Sequence, residues 1–381
     1  MQNAELLAHY EAQLGSIIWK LLGLIEMETP TSEKSRLDEL GDWMATWADE
    51  LEAKVNIHPL SEVGNVVECR WNDHYAAAPI IICCHMDTVH PLGSVDQYPT
   101  HATEEHLYGM GAYDMKGGIV LAQTVIEDLI KRDAMPKRPI VLLLNSDEET
   151  GSQHSRPIIE NVAKDAALVL VMEPGPAEDT IVTARKGVGI FEMTAWGRSS
   201  HAGSNPEAGV NAIIEMAHQI AKITALNNVE LGTSVHPTII HGGTKHNVIP
   251  EECRVTINVR VRYQREAERV LEALSTISHN PFLPEALVYL TGGMMRPPME
   301  HNALMIQTVE TLAKISPFPI QEFSKGGGSD GNFTAAMGIP TLDGLGPTGG
   351  GAHSNDEHVY LPSLPRRAAL LDAILTRWPL A

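Results

Sequence analysis

The chain has 381 residues, of which 20% are charged and 43% are hydrophobic, a balance typical of a soluble globular protein. This length suits two domains better than a single core. The 48 acidic and 28 basic residues give a net charge of -20 at pH 7. Such a charge excludes nucleic acid and anionic membranes as expected partners, and an anionic substrate would require a local positive site.

The N-terminal segment contains no basic stretch followed by an apolar one, so no signal peptide is expected. Its most apolar run, 17–27, is interrupted by Lys20 and Glu26 and is too short to span a bilayer. We therefore expect a cytoplasmic protein. The cysteines lack a Cys-x-x-Cys spacing, and buried thiols are expected at Cys69, Cys83, Cys84 and Cys253.

Predicted helices and strands alternate through the first half of the chain. Helical periodicity covers 4–27, 36–54 and 154–164, and it also begins at Gly118. Strand-like runs lie at 54–58, 65–71, 79–84, 139–144 and 167–171. This alternation predicts an α/β fold with a mainly parallel sheet that is covered by helices on both faces.

The pattern changes after Glu173. Residues 188–291 predict the order strand, helix, strand, strand, helix, strand, which is that of a split βαβ unit with a ferredoxin-like α+β fold. We therefore predict a smaller domain at 186–296, inserted into an α/β domain that comprises 1–185 and 297–381.

Two elements of the inserted domain are predicted in more detail. Its first helix is expected to begin with Asn205 as the N-cap and Pro206 at the first position, and to bury Ile213 and Ile214. The strand 253–261 alternates apolar with polar side chains. That alternation is typical of an antiparallel sheet with one polar face.

A pair of glutamates follows the apolar run 140–144, which is typical of a strand buried on both faces of a parallel sheet. Glu148 and Glu149 would lie at the carboxyl edge of that sheet, where open α/β sheets carry their chemistry. Neighbouring carboxylates repel each other, so a buried pair requires a cation or a proton beside it. Different roles are expected for the two residues, since successive side chains of an extended chain point in opposite directions. A solvated acidic surface is the alternative interpretation.

Further candidate ligands lie in comparable places. His85 follows an apolar strand, and Asp87 has the i, i+2 spacing that allows its carboxylate to hydrogen-bond to the histidine and fix its tautomer. Glu173 follows another predicted strand, while Asp114 and His353 lie in glycine-rich segments. Each residue alone also has an ordinary explanation as a core or surface residue, a turn or a helix cap.

Together these residues predict a metal centre. Imidazole and carboxylate ligands suit Zn²⁺, with Mn²⁺ or Co²⁺ as alternatives. One catalytic ion that keeps an open position cannot use all the candidates, which are His85, Asp114, Glu149, Glu173 and His353. If Asp114 bridges, each of two ions receives three protein ligands, which describes a cocatalytic site.

Motifs from about residue 80 to the end of the chain also resemble those of the M20 metallopeptidases. They are Cys-His-Met-Asp-Thr-Val-His-Pro from Cys84, Gly-Ala-Tyr-Asp-Met-Lys-Gly-Gly from Gly111, Ser-Asp-Glu-Glu-Thr-Gly from Ser146, Met-Glu-Pro-Gly from Met172, Gly-Arg-Ser-Ser-His-Ala-Gly from Gly197, His-Asn-Val-Ile-Pro from His246, Gly-Gly-Gly-Ser-Asp-Gly from Gly326 and Gly-Ala-His-Ser from Gly351. Within this family the chain is most similar to the glutamate carboxypeptidases of the carboxypeptidase G2 type. Acetylornithine deacetylase and succinyl-diaminopimelate desuccinylase are relatives.

The resemblance implies a zinc-peptidase-like catalytic domain that holds two Zn²⁺ ions. One zinc ion would be held by His85, Asp114 and Glu173. The other would be held by Asp114, Glu149 and His353.

The resemblance also implies roles for residues outside the ligand set. Glu148 would be the general base, and Asp87 would orient His85. The inserted domain would be a lid that forms a homodimer, and its His201 would reach into the partner's site to polarise the scissile carbonyl. The carboxylate side of the substrate would be contacted by Asn247, Arg260 and Arg296.

These inferences predict a di-zinc hydrolase that cleaves an amide bond beside a free carboxylate. The expected substrate is a small acidic peptide with a C-terminal glutamate, or an N-acyl amino acid. Acetylornithine deacetylase or succinyl-diaminopimelate desuccinylase activity is the alternative, because those substrates also place a carboxylate beside an amide. A non-catalytic metal-binding dimer is an alternative of another class, against which the intact ligand positions and Glu148 argue.

Overall fold

A computed structural model describes residues Met1–Leu380. The chain forms two units of unequal size. Unit 1 comprises Met1–Ala184, His301–Ser324 and the residues from Ser329 onward, and unit 2 comprises Arg185–Glu300 and Lys325–Gly328. The predicted division into a catalytic domain and a lid stays a prediction.

The α-helices are α1 (Asn3–Glu11), α2 (Leu14–Glu26), α3 (Lys34–Glu50), α4 (Ser94–Gln97), α5 (Gly117–Lys131), α6 (Arg156–Ala163), α7 (Ala212–Thr224), α8 (Gln264–Ser278), α9 (Ala303–Ile315), α10 (Gly331–Ala336) and α11 (Ser363–Arg377). A turn at Ala12 and Gln13 divides the predicted helix 4–27 into α1 and α2, a break that the apolar periodicity does not reveal. Over Met1–Leu380, none of the helices is both long and apolar enough to cross a membrane. The cytoplasmic location stays a prediction.

The first nine strands are β1 (Lys54–His58), β2 (Val66–Trp71), β3 (Ile80–His85), β4 (His101–Ala102), β5 (His106–Tyr108), β6 (Ile140–Asn145), β7 (Leu168–Val171), β8 (Thr180–Arg185) and β9 (Gly187–Trp196). The others are β10 (Ser200–His201), β11 (Ser234–Gly242), β12 (Val248–Ile249), β13 (Glu252–Val261), β14 (Leu287–Arg296), β15 (Gln321–Lys325), β16 (Thr341–Leu342), β17 (Gly349–Gly350) and β18 (His358–Tyr360).

The large sheet of unit 1 has the strand order β1-β2-β6-β3-β7-β16. Strands β6, β3, β7 and β16 are parallel to their neighbours in that series, whereas β1 and β2 add an antiparallel edge. Every residue of β3, β6 and β7 is buried, as their apolar sequences require. The predicted α/β fold is confirmed. The cysteines are free and buried, as expected.

Unit 2 contains a sheet of order β11-β13-β9-β14 in which neighbouring strands are antiparallel. Together with α7 and α8, these strands follow the predicted order of a ferredoxin-like fold. The apolar side chains of β13 are buried, and its polar side chains lie on the other face. The alternation read from 253–261 is therefore confirmed.

The predicted start of the first helix in unit 2 is wrong. Pro206–Ala208 form one short 3₁₀ turn, and α7 begins only at Ala212. The cap is Asn211, whose Oδ1 accepts the main-chain N–H groups of Ile213 at 3.0 Å and Ile214 at 3.2 Å. The buried face of α7 does not include Ile213 and Ile214, which are 42% and 47% exposed; it consists of Ala212, Glu215, Met216, Gln219 and Ile223.

Candidate metal centre

Candidate ligands lie at the carboxyl ends of three neighbouring parallel strands, at one edge of the large sheet. His85 is the last residue of β3, Glu148 and Glu149 follow β6, and Glu173 follows β7. Because β6 and β7 both pair in parallel with β3, their carboxyl ends lie side by side. The position of the chemistry therefore follows from the strand order.

Asp114 and His353 come from loops at one end of a smaller sheet. The pairing of His358 with Tyr108 places the loop that follows β5 beside the loop that precedes β18. Asp114 lies in a short π-helical turn, Ala112–Lys116, of the first connection, and His353 lies in the second. His353 has φ +64°, in the left-handed region that a residue other than glycine seldom adopts. The loop thus holds this imidazole in a strained backbone conformation, a feature common at functional sites.

Asp114 lies between the two imidazoles and presents a different oxygen to each. Its Oδ1 is 3.1 Å from Nε2 of His85, and its Oδ2 is 3.4 Å from Nε2 of His353. Oε1 of Glu173 is 3.6 Å from the His85 nitrogen, and Oε2 of Glu149 is 3.2 Å from the His353 nitrogen. The five predicted ligands are thus brought together in two groups that share Asp114.

Two sets of three side chains place ligand atoms within 4.8 Å of one another and could each hold a metal ion. One set is His85, Glu148 and Glu173, and the other is His85, Asp114 and Glu149. Imidazole nitrogens and carboxylate oxygens are donors that suit Zn²⁺ and related divalent ions. The donors present therefore fit a metal centre.

The ionisable groups of this cluster shift one another's pKa values. Burial lowers the pKa of His85, but hydrogen bonds with Asp114 and Asp87 outweigh it and hold that pKa well above its usual range. Hydrogen bonds with Asp114 and Glu149 raise the pKa of His353 to about 10. Burial raises the pKa of Glu149. The carboxylates thus stabilise positive charge on both imidazoles, and the same field attracts metal cations.

The Asp87 side chain supports the glutamate pair. Its Oδ1 accepts the main-chain N–H of Glu148, and its Oδ2 accepts that of Glu149, both at 3.1 Å. The Thr31 hydroxyl donates to the same Oδ2 at 2.8 Å. Nδ1 of His85 lies 2.9 Å from the main-chain oxygen of Asp87 but 3.5 Å from its carboxylate. Asp87 therefore orients His85 chiefly through its main chain.

The predicted substrate residues of unit 2 form two pairs. His201 and Asn247 are both exposed and lie together, because β10 pairs with β12 and the N–H of Ala202 donates to the Asn247 carbonyl at 2.9 Å. Arg260 and Arg296 both pair with Val188, from the strands on either side of it. Arg296 is buried and Arg260 is partly buried.

A model of the peptidase family M20/M25/M40 matches residues 81–377 of the chain. The chain belongs to this family. The expected resemblance is therefore confirmed, and the protein is an M20 hydrolase of the metallopeptidase and amidohydrolase type.

Relatives of this M20 enzyme include a carboxypeptidase and a desuccinylase. Carboxypeptidase G2 of Pseudomonas sp. (strain RS-16) is 30% identical over 296 residues, which is 76% of this chain and 71% of that protein. Succinyl-diaminopimelate desuccinylase of Acidovorax ebreus (strain TPSY) is 30% identical over 306 residues, 75% of this chain and 77% of that protein. The structure of the YXEP protein of Bacillus subtilis, a dinuclear metal binding peptidase from the M20 family, has a TM-score of 0.70 at 16% identity and covers 96% of this chain and 98% of its own.

The sequence analysis does not identify a buried acid that lies beside the candidate metal centre. Glu357 is 1% exposed, and its carboxylate accepts the main-chain N–H of Asp114 at 2.9 Å. The available signal is its place between the glycine-rich loop of His353 and the short strand β18. An acid in that place is equally consistent with an exposed turn, and only the fold brings it to Asp114.

Proposed function

We propose that this M20 enzyme hydrolyses an amide bond beside a free carboxylate with the help of two divalent cations, Zn²⁺ in the first instance. The observation that carries the proposal is the position of Asp114, whose two oxygens face two separate groups of ligands. Co²⁺ and Mn²⁺ suit the same donors and are the alternatives.

His85, Asp114 and Glu173 would hold one cation, and Asp114, Glu149 and His353 would hold the other. Bound in this way, the cations would lower the pKa of a water molecule and polarise the substrate carbonyl. The distances between the imidazoles and their carboxylate neighbours, 3.1 to 3.6 Å, support this division.

Glu148 is the proposed general base. It takes the proton from the attacking water and passes it to the leaving amine, which is the ordinary work of a carboxylate beside a reacting carbonyl. Its carboxylate is grouped with His85 and Glu173, and its main-chain N–H is held by Asp87. These contacts place Glu148 within reach of the cation that His85 and Glu173 would hold, and we assign it the role of base and not that of a further ligand.

The substrate carboxylate is assigned to the arginines of unit 2. Arg260 and Arg296 pair with the same residue, Val188, from opposite sides, so they lie in one row across the sheet. In a chain of net charge -20, two guanidinium groups in one row favour recognition of an anion. Asn247 is proposed as a further contact.

We also propose a homodimer formed through unit 2. β11 is an edge strand, and Ile239 and Ile240 on it are 52% and 55% exposed. Ile213 and Ile214 on the adjacent helix α7 are exposed as well. An apolar edge strand of this kind is a ready surface for pairing with a second copy. In such a dimer, His201 would polarise the scissile carbonyl in the partner's site.

The substrate proposal can be tested with zinc-loaded protein and a chelator-treated control. The panel contains N-acetylornithine, N-succinyl-diaminopimelate, and N-acyl and peptidyl glutamates. Chelator-sensitive release of glutamate alone supports a glutamate carboxypeptidase. Release of diaminopimelate or ornithine supports the second candidate, which is favoured by the 30% identity with a desuccinylase. Inactivity of the metal-loaded protein on the whole panel favours the non-catalytic binding dimer or a substrate with another acyl group.

A further inference from the structure

The buried Glu357 carboxylate receives donors from two different segments of unit 1. Its Oε1 accepts the main-chain N–H groups of Tyr113 and Asp114, each at 2.9 Å. Its Oε2 accepts the N–H of Gly111 at 3.1 Å and lies 2.6 Å from Nε2 of His90. One side chain therefore satisfies consecutive amides of the Asp114 loop and an imidazole from elsewhere in the chain.

These contacts connect the segments that carry three of the proposed ligands. His90 follows the segment that begins at His85, and Glu357 follows His353. Asp114 lies in a short π-helical turn, Ala112–Lys116, and itself departs from helical geometry with φ -121° and ψ 94°. Glu357 accepts the N–H groups of Tyr113 and Asp114 within this turn.

We propose that Glu357 is a positioning residue that presets Asp114 as the carboxylate shared by two cations. Glu357 acts through the Asp114 main chain, and its effect on metal affinity is distinct from a general contribution to folding. The proposal rests on the proposed metal-binding role of Asp114. Replacing a residue that hydrogen-bonds to a metal ligand and orients it typically lowers metal affinity or activity by 10- to 100-fold.

Glutamine is the most informative replacement at this position. An amide in place of the carboxylate keeps one accepting oxygen, so it can serve either the Oε1 pair or the Oε2 pair of donors but not both. The amide nitrogen can donate to His90 if that imidazole changes tautomer, which leaves the Gly111 N–H without its partner. E357Q should therefore fold while holding the Asp114 loop less firmly.

Unit 2 offers a matched control. Glu215 is fully buried, and its carboxylate accepts the N–H groups of Phe282 at 2.9 Å and Leu283 at 2.7 Å. E215Q removes comparable bonds from a buried glutamate outside the metal centre. Loss of fold stability alone would therefore affect E215Q and E357Q alike.

The experiment measures zinc affinity and stoichiometry by competition with a chromophoric chelator, together with thermal unfolding of the metal-free proteins. We expect two zinc ions in the wild type and in E215Q, and 10- to 100-fold weaker binding of at least one ion in E357Q. H90Q alters only one of the groups that contact Glu357, so it should give a smaller loss of zinc affinity. It is the replacement variant to be measured if E357Q does not fold.

Equal zinc affinities in the wild type, E357Q and H90Q would overturn the inference. Equal losses in E357Q and E215Q would also overturn it, because they would show a general effect of destabilisation. A wild-type protein that binds no zinc pair would instead contradict the proposed function, so the two failures are distinguishable.

Discussion

Asp87 holds Glu149 by accepting its main-chain N–H at 3.1 Å, and the other oxygen of the same carboxylate holds the N–H of Glu148. Asp87, which the sequence motif indicates as a partner of His85, therefore also aligns Glu148, the proposed base, and Glu149, a proposed ligand. The i, i+2 spacing from His85 identifies the residue but not this second task.

Replacing Asp87 with asparagine should lower kcat/KM by about 10- to 100-fold, since the amide can accept from only one of the two glutamate N–H groups. Steady-state kinetics of the zinc-loaded protein would measure the change. D96N, at an exposed position in α4, is the control and should behave as the wild type. Full activity in D87N would refute the assigned task.

The replacement E148Q should retain both metal ions but lower kcat by about 10²- to 10⁴-fold, the range that a general base contributes. Metal content measured by mass spectrometry separates this effect from loss of the cations. E149Q is the comparison, because it should lose metal as well as turnover. Near-normal turnover in metal-replete E148Q would remove Glu148 from the mechanism.

Zinc binding should release protons and weaken as the pH falls. In the metal-free protein, hydrogen bonds with Asp114 and Glu149 raise the pKa of His353 to about 10, so its imidazole is protonated at pH 7 and must lose that proton to coordinate. The raised pKa stabilises the metal-free fold below the unfolded value of about 6.5, and this contribution is lost as the pH rises through about 10.

Calorimetric titration of zinc at pH 7 in two buffers of different ionisation enthalpy measures the number of protons released. H353A should release fewer protons than the wild type. Identical binding enthalpies in the two buffers would mean that no proton leaves, contrary to this expectation.

The lysine replacements I213K and I240K should convert a dimer into a monomer, because each places a charge on the exposed apolar edge of unit 2. Light scattering after gel filtration reports the mass directly. I306K, which changes a 46% exposed isoleucine of α9 in unit 1, is the matched control. A monomeric mass for the wild-type protein would contradict the proposed interface.

The replacement R260Q should raise KM for a carboxylate-bearing substrate by about 10- to 100-fold, since a hydrogen bond to a charged group contributes about 1.5–3 kcal/mol. R254Q in the same strand removes an arginine that pairs with Glu252, and its KM should not change. If both variants raise KM equally, the effect is one of overall charge and not of recognition.

The parts of the fold that could be predicted depend on local pattern. An apolar run such as Ile140–Asn145 indicates a buried strand by itself, and the residues after it then fall at the sheet edge. For α7 the pattern was insufficient, because the apolar run extends before the true cap at Asn211 and gives no boundary. Helix starts depend on which side chain reaches the free N–H groups, and the Asn205-Pro206 pair has the sequence of a helix start although Asn211 provides the cap.

Glu357 illustrates what sequence reasoning could not supply. Its carboxylate meets amides that lie 243 to 246 positions earlier in the chain, and no short motif records that distance. The candidate ligands could be predicted from the sequence because each follows a predicted strand or lies in a glycine-rich segment. The acid that orients one of them becomes visible only when the fold is complete.

The order of the ligands along the chain has a consequence for biosynthesis. Four of the five proposed ligands precede residue 185, but His353 is translated only after the whole of Arg185–Glu300 has emerged. The residues of the first proposed group therefore precede unit 2 in the chain, but the acid that holds the Asp114 N–H, Glu357, follows His353. Chains that stop short of His353 would lack a ligand of one group and the Glu357 support of the Asp114 that both groups share, so both proposed cation sites would depend on the segment that follows unit 2.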